Sequence, residues 1–130
     1  MILDTCVIVD LLRRDRAAIQ RIRSLEGEGE PLWIPAPACF ELFEGVERAD
    51  NPADEVRRLE TVIAGFTIAP FARAHAMRAG RLSGGLVRRG QMLDPLDAMI
   101  AGVALEERQS LLTRNVSDFR RVPDLEVVGY

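Results

Sequence analysis

The sequence predicts one α/β domain of three layers, with helices on both faces of a central parallel sheet. Three observations lead there. Short apolar segments alternate with longer segments of helical spacing, the pattern of parallel strands joined by helical crossovers. The chain has 130 residues, the size of one domain, and 48% of them are apolar, enough for a real core. No repeat, linker or low-complexity segment divides it, so residues 1–130 read as one unit.

The elements follow in order. Met1 to Leu3 is apolar and ends at Asp4, a buried strand running into a turn. Val7 to Leu12 starts a helix, and Ala17, Ile19, Ile22 and Leu25 carry an amphipathic helix from about Asp15 to Glu26, broken at Gly27 to Pro31. Leu32 to Ile34 is the second strand, punctuated by Pro35 and Pro37. A helix begins at Cys39, with Phe40, Phe43 and Val46 on one side and Glu41, Glu44 and Glu47 on another. Asn51-Pro52 marks a turn into a helix carrying Val56, Leu59, Val62 and Ile63. Phe66 to Ala69 is the third strand, closed by Pro70. A longer helix from about Arg73 to Arg89 is expected to break or bend near Gly84-Gly85. Asp94-Pro95 opens a helix that turns Met99, Ile100, Val103 and Leu105 inward. Leu111-Leu112 is the fourth strand, ending at Thr113, and Val127-Val128 is the last.

In such a sheet, ligands bind beyond the C-terminal strand ends, where the strand order reverses. Asp4 follows strand one, Glu41 lies in the helix after strand two, and Asn115 and Asp118 follow strand four. Asp97 lies in the first turn of the helix before strand four. If strand one lies beside strand four, these residues converge on one edge. Acids gathered there repel, and a divalent cation is the natural reason to tolerate them. Oxygen ligands alone suit Mg²⁺ or Mn²⁺. The lone His75 lies inside a helix, so a zinc site has almost no material. Plainer roles stay open residue by residue. Asp4 would also cap the next helix, Asp94 reads as an N-cap with Pro95 at the first helical position, and Asp97 would complete that cap. Glu41 would be a solvated helix face but for its apolar flanks, and Asp10 reads as a surface or capping residue.

The formal charge is −3, which on its face argues against a nucleic-acid partner. All 17 basic residues are arginine, however, and arginine grips phosphate bidentately. Cys6 and Cys39 sit in apolar segments and read as buried, reduced thiols of a cytoplasmic protein. No apolar run approaches the length of a membrane span, and no basic stretch precedes the first apolar residues as in a signal peptide.

Three segments together resemble the PIN-domain ribonucleases, and most closely the VapC-type toxins of toxin–antitoxin pairs. They are Met1-Ile-Leu-Asp-Thr-Cys-Val-Ile-Val-Asp-Leu-Leu, Pro35-Ala-Pro-Ala-Cys-Phe-Glu-Leu-Phe-Glu-Gly-Val, and Asp94-Pro-Leu-Asp-Ala-Met-Ile-Ala-Gly-Val-Ala-Leu with Leu111-Leu-Thr-Arg-Asn-Val-Ser-Asp-Phe downstream. The resemblance extends to the closing Val122-Pro-Asp-Leu-Glu-Val. One departure is visible: the family often carries an acid directly after strand four, where this chain has Asn115, with Asp118 three residues on.

The resemblance implies a PIN-like fold and a metal-dependent endoribonuclease that hydrolyses RNA phosphodiester bonds. It implies Asp4, Glu41, Asp97 and Asp118 as catalytic and metal-binding residues, with Asn115 and Asp94 as further candidates, and Mg²⁺ or Mn²⁺ as cofactor. Asp4 and Asp97 would be direct ligands, with Glu41 a ligand or the residue that orients water. Thr5 and Thr113 would hold ligands by hydrogen bonds. It also implies a small antitoxin partner and a homodimer, and Gly45-Val46 and the helices around Val56 to Ile63 offer apolar surface for such contacts. Arg73, Arg78, Arg81, Arg88, Arg89 and Arg114 would supply a positive rim for RNA. Competing classes are an RNA-processing nuclease outside a toxin system and a non-catalytic binding module on the same fold. Aspartyl-phosphate chemistry is excluded, because it needs a lysine and a second acid where Cys6 stands.

Overall fold

The computed structural model describes residues 1–130 and contains five short strands and seven helices. In chain order they are β1 (Ile2–Leu3), α1 (Thr5–Leu12), α2 (Arg16–Gly27), β2 (Trp33–Pro35), α3 (Ala36–Glu47), α4 (Pro52–Ile63), β3 (Thr67–Ala69), α5 (Arg73–Arg88), α6 (Pro95–Glu106), β4 (Leu111–Leu112), α7 (Val116–Phe119) and β5 (Val127–Val128). The sheet order is β3-β2-β1-β4-β5, and every pairing is parallel. The chain steps outward from β1 through β2 to β3, then returns to the other side of β1. Right-handed crossovers therefore place α1 to α4 on one face and α5 to α7 on the other.

The strands are apolar because both faces are covered: Ile2, Leu3, Ile34, Leu111 and Leu112 are fully buried. α6 is buried almost all round, through Ala98, Ile100, Ala101, Gly102, Val103 and Ala104. It packs against α5 so closely that a Cβ on Gly102 would stand 2.7 Å from Ala79 Cβ and 2.9 Å from Ala79 N. His75 ties the same helices together. Its Nδ1 accepts from Ala72 N (2.9 Å), and its Nε2 meets Glu107 Oε1 (2.8 Å). Buried and satisfied in this way, His75 is a structural residue.

Four expectations change. α3 begins at Ala36 rather than Cys39, since Pro37 in a first turn lacks only an N–H that would have no partner there. α5 runs unbroken through Gly84-Gly85 and ends where Gly90 (φ 69°) and Gln91 donate back to Val87 and Leu86. The one-turn α7 was not expected at all; four residues are too few to show a period. On α3, Val46 is buried but Phe40 and Phe43 face solvent. No helix is long and apolar enough to cross a membrane.

Candidate active site

β1 lies beside β4, with Ile2 opposite Leu111 and Leu3 opposite Leu112. The strand order reverses between these two strands, so the crevice of the fold opens at their C-terminal ends. Asp4 and Thr113 are the residues that leave the sheet there.

Asp4 is buried, and three donors fix its carboxylate. Oδ1 accepts from Thr5 N (2.8 Å), which makes Asp4 the N-cap of α1. Oδ2 accepts from Thr113 Oγ1 (2.6 Å) and Cys6 Sγ (3.2 Å). Capping and a site role thus coexist on two oxygens. Glu41, half-buried on α3, is reached from the neighbouring residue of the same turn: Thr5 Oγ1 donates to its Oε2 (2.5 Å). The hydroxyls of Thr5 and Thr113 orient one carboxylate each.

Asp97 lies in the first turn of α6, after the N-cap Asp94, whose carboxylate accepts from Leu96 N (2.9 Å). Asp97 is half-buried, and burial pushes its carboxyl up to about 7, helped by the charges of Asp4, Asp94, Glu41 and Asp118. The structure thus brings these sequence-distant acids within each other's field. No cation of the chain pairs with Asp4, Glu41, Asp94 or Asp97.

The other end of the cluster differs. Asp118 Oδ1 bonds Arg121 Nη2 (2.5 Å), and the Asn115 side chain with Arg121 holds the carboxyl below its ordinary range. Arg121 also donates to Met92 O (3.0 Å), bridging α7 to the loop before α6. Asn115 is the N-cap of α7 without a side-chain cap bond, and its N–H donates to Thr113 Oγ1 (2.9 Å).

Several site features had no signal in the sequence. Cys6 is an integral part of the Asp4 environment, and burial, with Asp4 beside it, pushes its thiol up, so it stays a donor. Asp10 is neither a cap nor a surface residue. It is buried, paired with Arg114 and bonded by the Tyr130 hydroxyl (2.7 Å), with Arg114 over the Tyr130 ring. Arg114 is therefore directed along α1, away from the acids. Nor does the whole arginine set rim the site. Arg78 pairs with Glu106 (3.4 Å), and nine residues of helix put Glu106 about 14 Å from Asp97.

The family model of the PIN domain matches residues 1–125. The chain belongs to the PIN-domain family. Among PIN domains it groups with the VapC ribonucleases. Ribonuclease VapC1 of Rickettsia felis is 32% identical, across 98% of this chain and 94% of that protein. The tRNA(fMet)-specific endonuclease VapC of Shigella flexneri is 26% identical, across 95% and 92%. In three dimensions this PIN domain matches the structure of VapBC2 from Rickettsia felis bound to a promoter DNA fragment. The TM-score is 0.92 over 99% of this chain and 97% of that one, at 22% identity, a likeness of fold.

Proposed function

We propose that Asp4, Glu41 and Asp97 form the catalytic centre of a divalent-metal-dependent endoribonuclease, the toxin of a toxin–antitoxin pair acting in the cytoplasm. The observation that carries this is charge without compensation: Asp97 held up at about 7 among Asp4, Asp94, Glu41 and Asp118, with no arginine on the first three acids of the cluster. A partly buried anion cluster of this kind is relieved by a cation.

The donor set fits a hard ion. It is all oxygen, and no three carboxylate, imidazole or thiol groups form a closed chelate. Mg²⁺ needs none, since it keeps several waters and takes one or two carboxylates plus substrate phosphate. Asp4 and Asp97 are the ligands we assign, with Mg²⁺ or Mn²⁺ as the ion. When bound, the ion neutralises charge at the scissile phosphate and lowers the pKa of an attacking water.

The chain's own residues supply the rest. Thr113 and Thr5 N hold Asp4 in one orientation, so no reorganisation is needed on substrate entry. Thr5 occupies Glu41 Oε2 and leaves Oε1 to accept a proton from the attacking water. Asp118 and Asn115 stand at the rim, where Asp118 keeps Arg121 beside the site to meet a phosphate.

A groove of about 590 Å³ between α1, α3 and α4 has Glu41 at its edge and Val9, Leu12, Leu42 and Val46 in its wall. With Arg13, Glu44, Arg48, Glu55 and Arg58 also in its wall, it suits an amphipathic antitoxin segment whose own arginine would reach the acids. A second copy of the chain would cover the exposed apolar side chains Phe40 and Phe43 of α3.

Cleavage of structured RNA is measured with Mg²⁺ or Mn²⁺ and with EDTA, for wild type and Asp4→Asn. Cleavage is expected only for wild type with metal. Cutting in EDTA, or an undiminished Asp4→Asn protein, sinks the mechanism.

A further inference from the structure

Residues 61–93 contain five arginines and neither Asp nor Glu, in a chain whose net charge is −3. α5 carries four of them, and Arg89 is its C-cap. Arg73, Arg81 and Arg89, eight residues apart, reach into one groove together with Met77 and Gly85. They line a groove of about 510 Å³ closed on its other side by Leu105, Pro123 and Asp124. All three are exposed, and none has a carboxylate partner. Of the groove's arginines only Arg78 is paired, with Glu106.

We infer that this α5 groove is an RNA-binding track, separate from the acid cluster, that holds the phosphate backbone of the substrate beyond the cleaved bond. The inference rests on the ribonuclease reading for its ligand. Three uncompensated guanidinium groups in a line are costly by self-repulsion, and a polyanion relieves it. Sixteen residues of helix separate Arg73 from Arg89, a span of about 24 Å, long enough for several nucleotides. The line also leads somewhere. Arg89 is the C-cap of α5, five residues before Asp94, and within that loop Met92 O binds Arg121, which binds Asp118. Arginines thus run from the far end of α5 to the rim of the acids. Because the sheet edge holds only the scissile region, this track selects for RNAs long enough to reach it. Arginine's planar fork makes the contacts phosphate-directed and indifferent to base sequence.

The test uses the full chain and an Arg73→Ala/Arg81→Ala/Arg89→Ala variant, whose surface substitutions leave the melting temperature unchanged. Binding of a tRNA transcript is followed against NaCl concentration in EDTA, and cleavage with Mg²⁺ is compared on that transcript and on a six-nucleotide RNA. The variant is expected to lose about 2 from the slope of log K against log salt. Its affinity for the long RNA should fall at least tenfold at low salt, with the short RNA cut as by wild type. An unchanged slope, or equal losses on long and short RNA, overturns the inference, as does tighter binding to vesicles of anionic phospholipid than to the transcript. If wild type cuts neither RNA yet the slope still drops, the track stands and the nuclease reading falls.

Discussion

The hydroxyl of Thr113, at the end of β4, donates a 2.6 Å hydrogen bond to Asp4 Oδ2, at the end of β1, 109 residues earlier. The bond spans the point where strand order reverses, and Thr113 is fully buried. With the Thr5 N–H on Oδ1 and the Cys6 thiol also on Oδ2, this hydroxyl fixes the orientation of an acid that the sheet alone would leave free to rotate.

Thr113→Val keeps shape and removes that donor. Cleavage is expected to fall about 10- to 100-fold, with a higher Mg²⁺ concentration for half-maximal rate, the usual cost of losing a ligand's orienting partner. Rates across a Mg²⁺ titration check it; wild-type rates at every concentration would falsify the positioning role.

Asp97 makes metal-free stability fall with pH. Its folded pKa, about 7, lies above the ordinary carboxylate value, so the folded state holds the extra proton. Its protonated form is tolerated at pH 4, and stability is lost as pH rises from there through about 7. The Tm gain on adding Mg²⁺ or Mn²⁺ should accordingly be larger at pH 8 than at pH 5.5, and Asp97→Asn should flatten both trends. Thermal melts with EDTA or metal at the two pH values decide; equal gains speak against Asp97 as a ligand.

Gly102→Ala forces a methyl to within 2.7 Å of Ala79 Cβ and 2.9 Å of Ala79 N. Backbone cannot move aside as a flexible side chain would, so α5 and α6 must separate. A loss of about 1–3 kcal/mol is expected in urea denaturation. A neutral result would show that the two helices do not pack this closely.

Tyr130→Phe removes the 2.7 Å bond to buried Asp10 and leaves Arg114 as its remaining partner. The expected cost is about 1–2 kcal/mol in the same assay. Combining it with Arg114→Ala should cost less than the sum of the two, because both changes act on the same carboxylate.

Most of the fold was legible because its signals are local. Helical spacing placed the helices, short apolar runs placed the strands, and Asn51-Pro52 and Asp94-Pro95 marked helix starts that the structure confirms. Where local signals conflict, reading failed. Gly84-Gly85 looked like a break, but α5 is held by its packing on α6 and by the His75 link. Pro35 and Pro37 read as punctuation at the end of the second strand, but Pro35 is also the N-cap of α3 and Pro37 sits in its first turn.

The order of residues along the chain was enough to put Asp4 and Asp97 at helix starts and Glu41 on the helix after the second strand, since capping and helical spacing are set by neighbours in the chain. Which residues meet depends on contacts across the fold. The fold joined Thr113 to Asp4, Thr5 to Glu41 and Tyr130 to Asp10, and it gave Asp118 to Arg121. It also carried Arg78 away from the acids and lined Arg73, Arg81 and Arg89 along a groove of their own. Strand order is the cause. Once β4 lies against β1, residues more than a hundred positions apart become neighbours, and no local period encodes that adjacency.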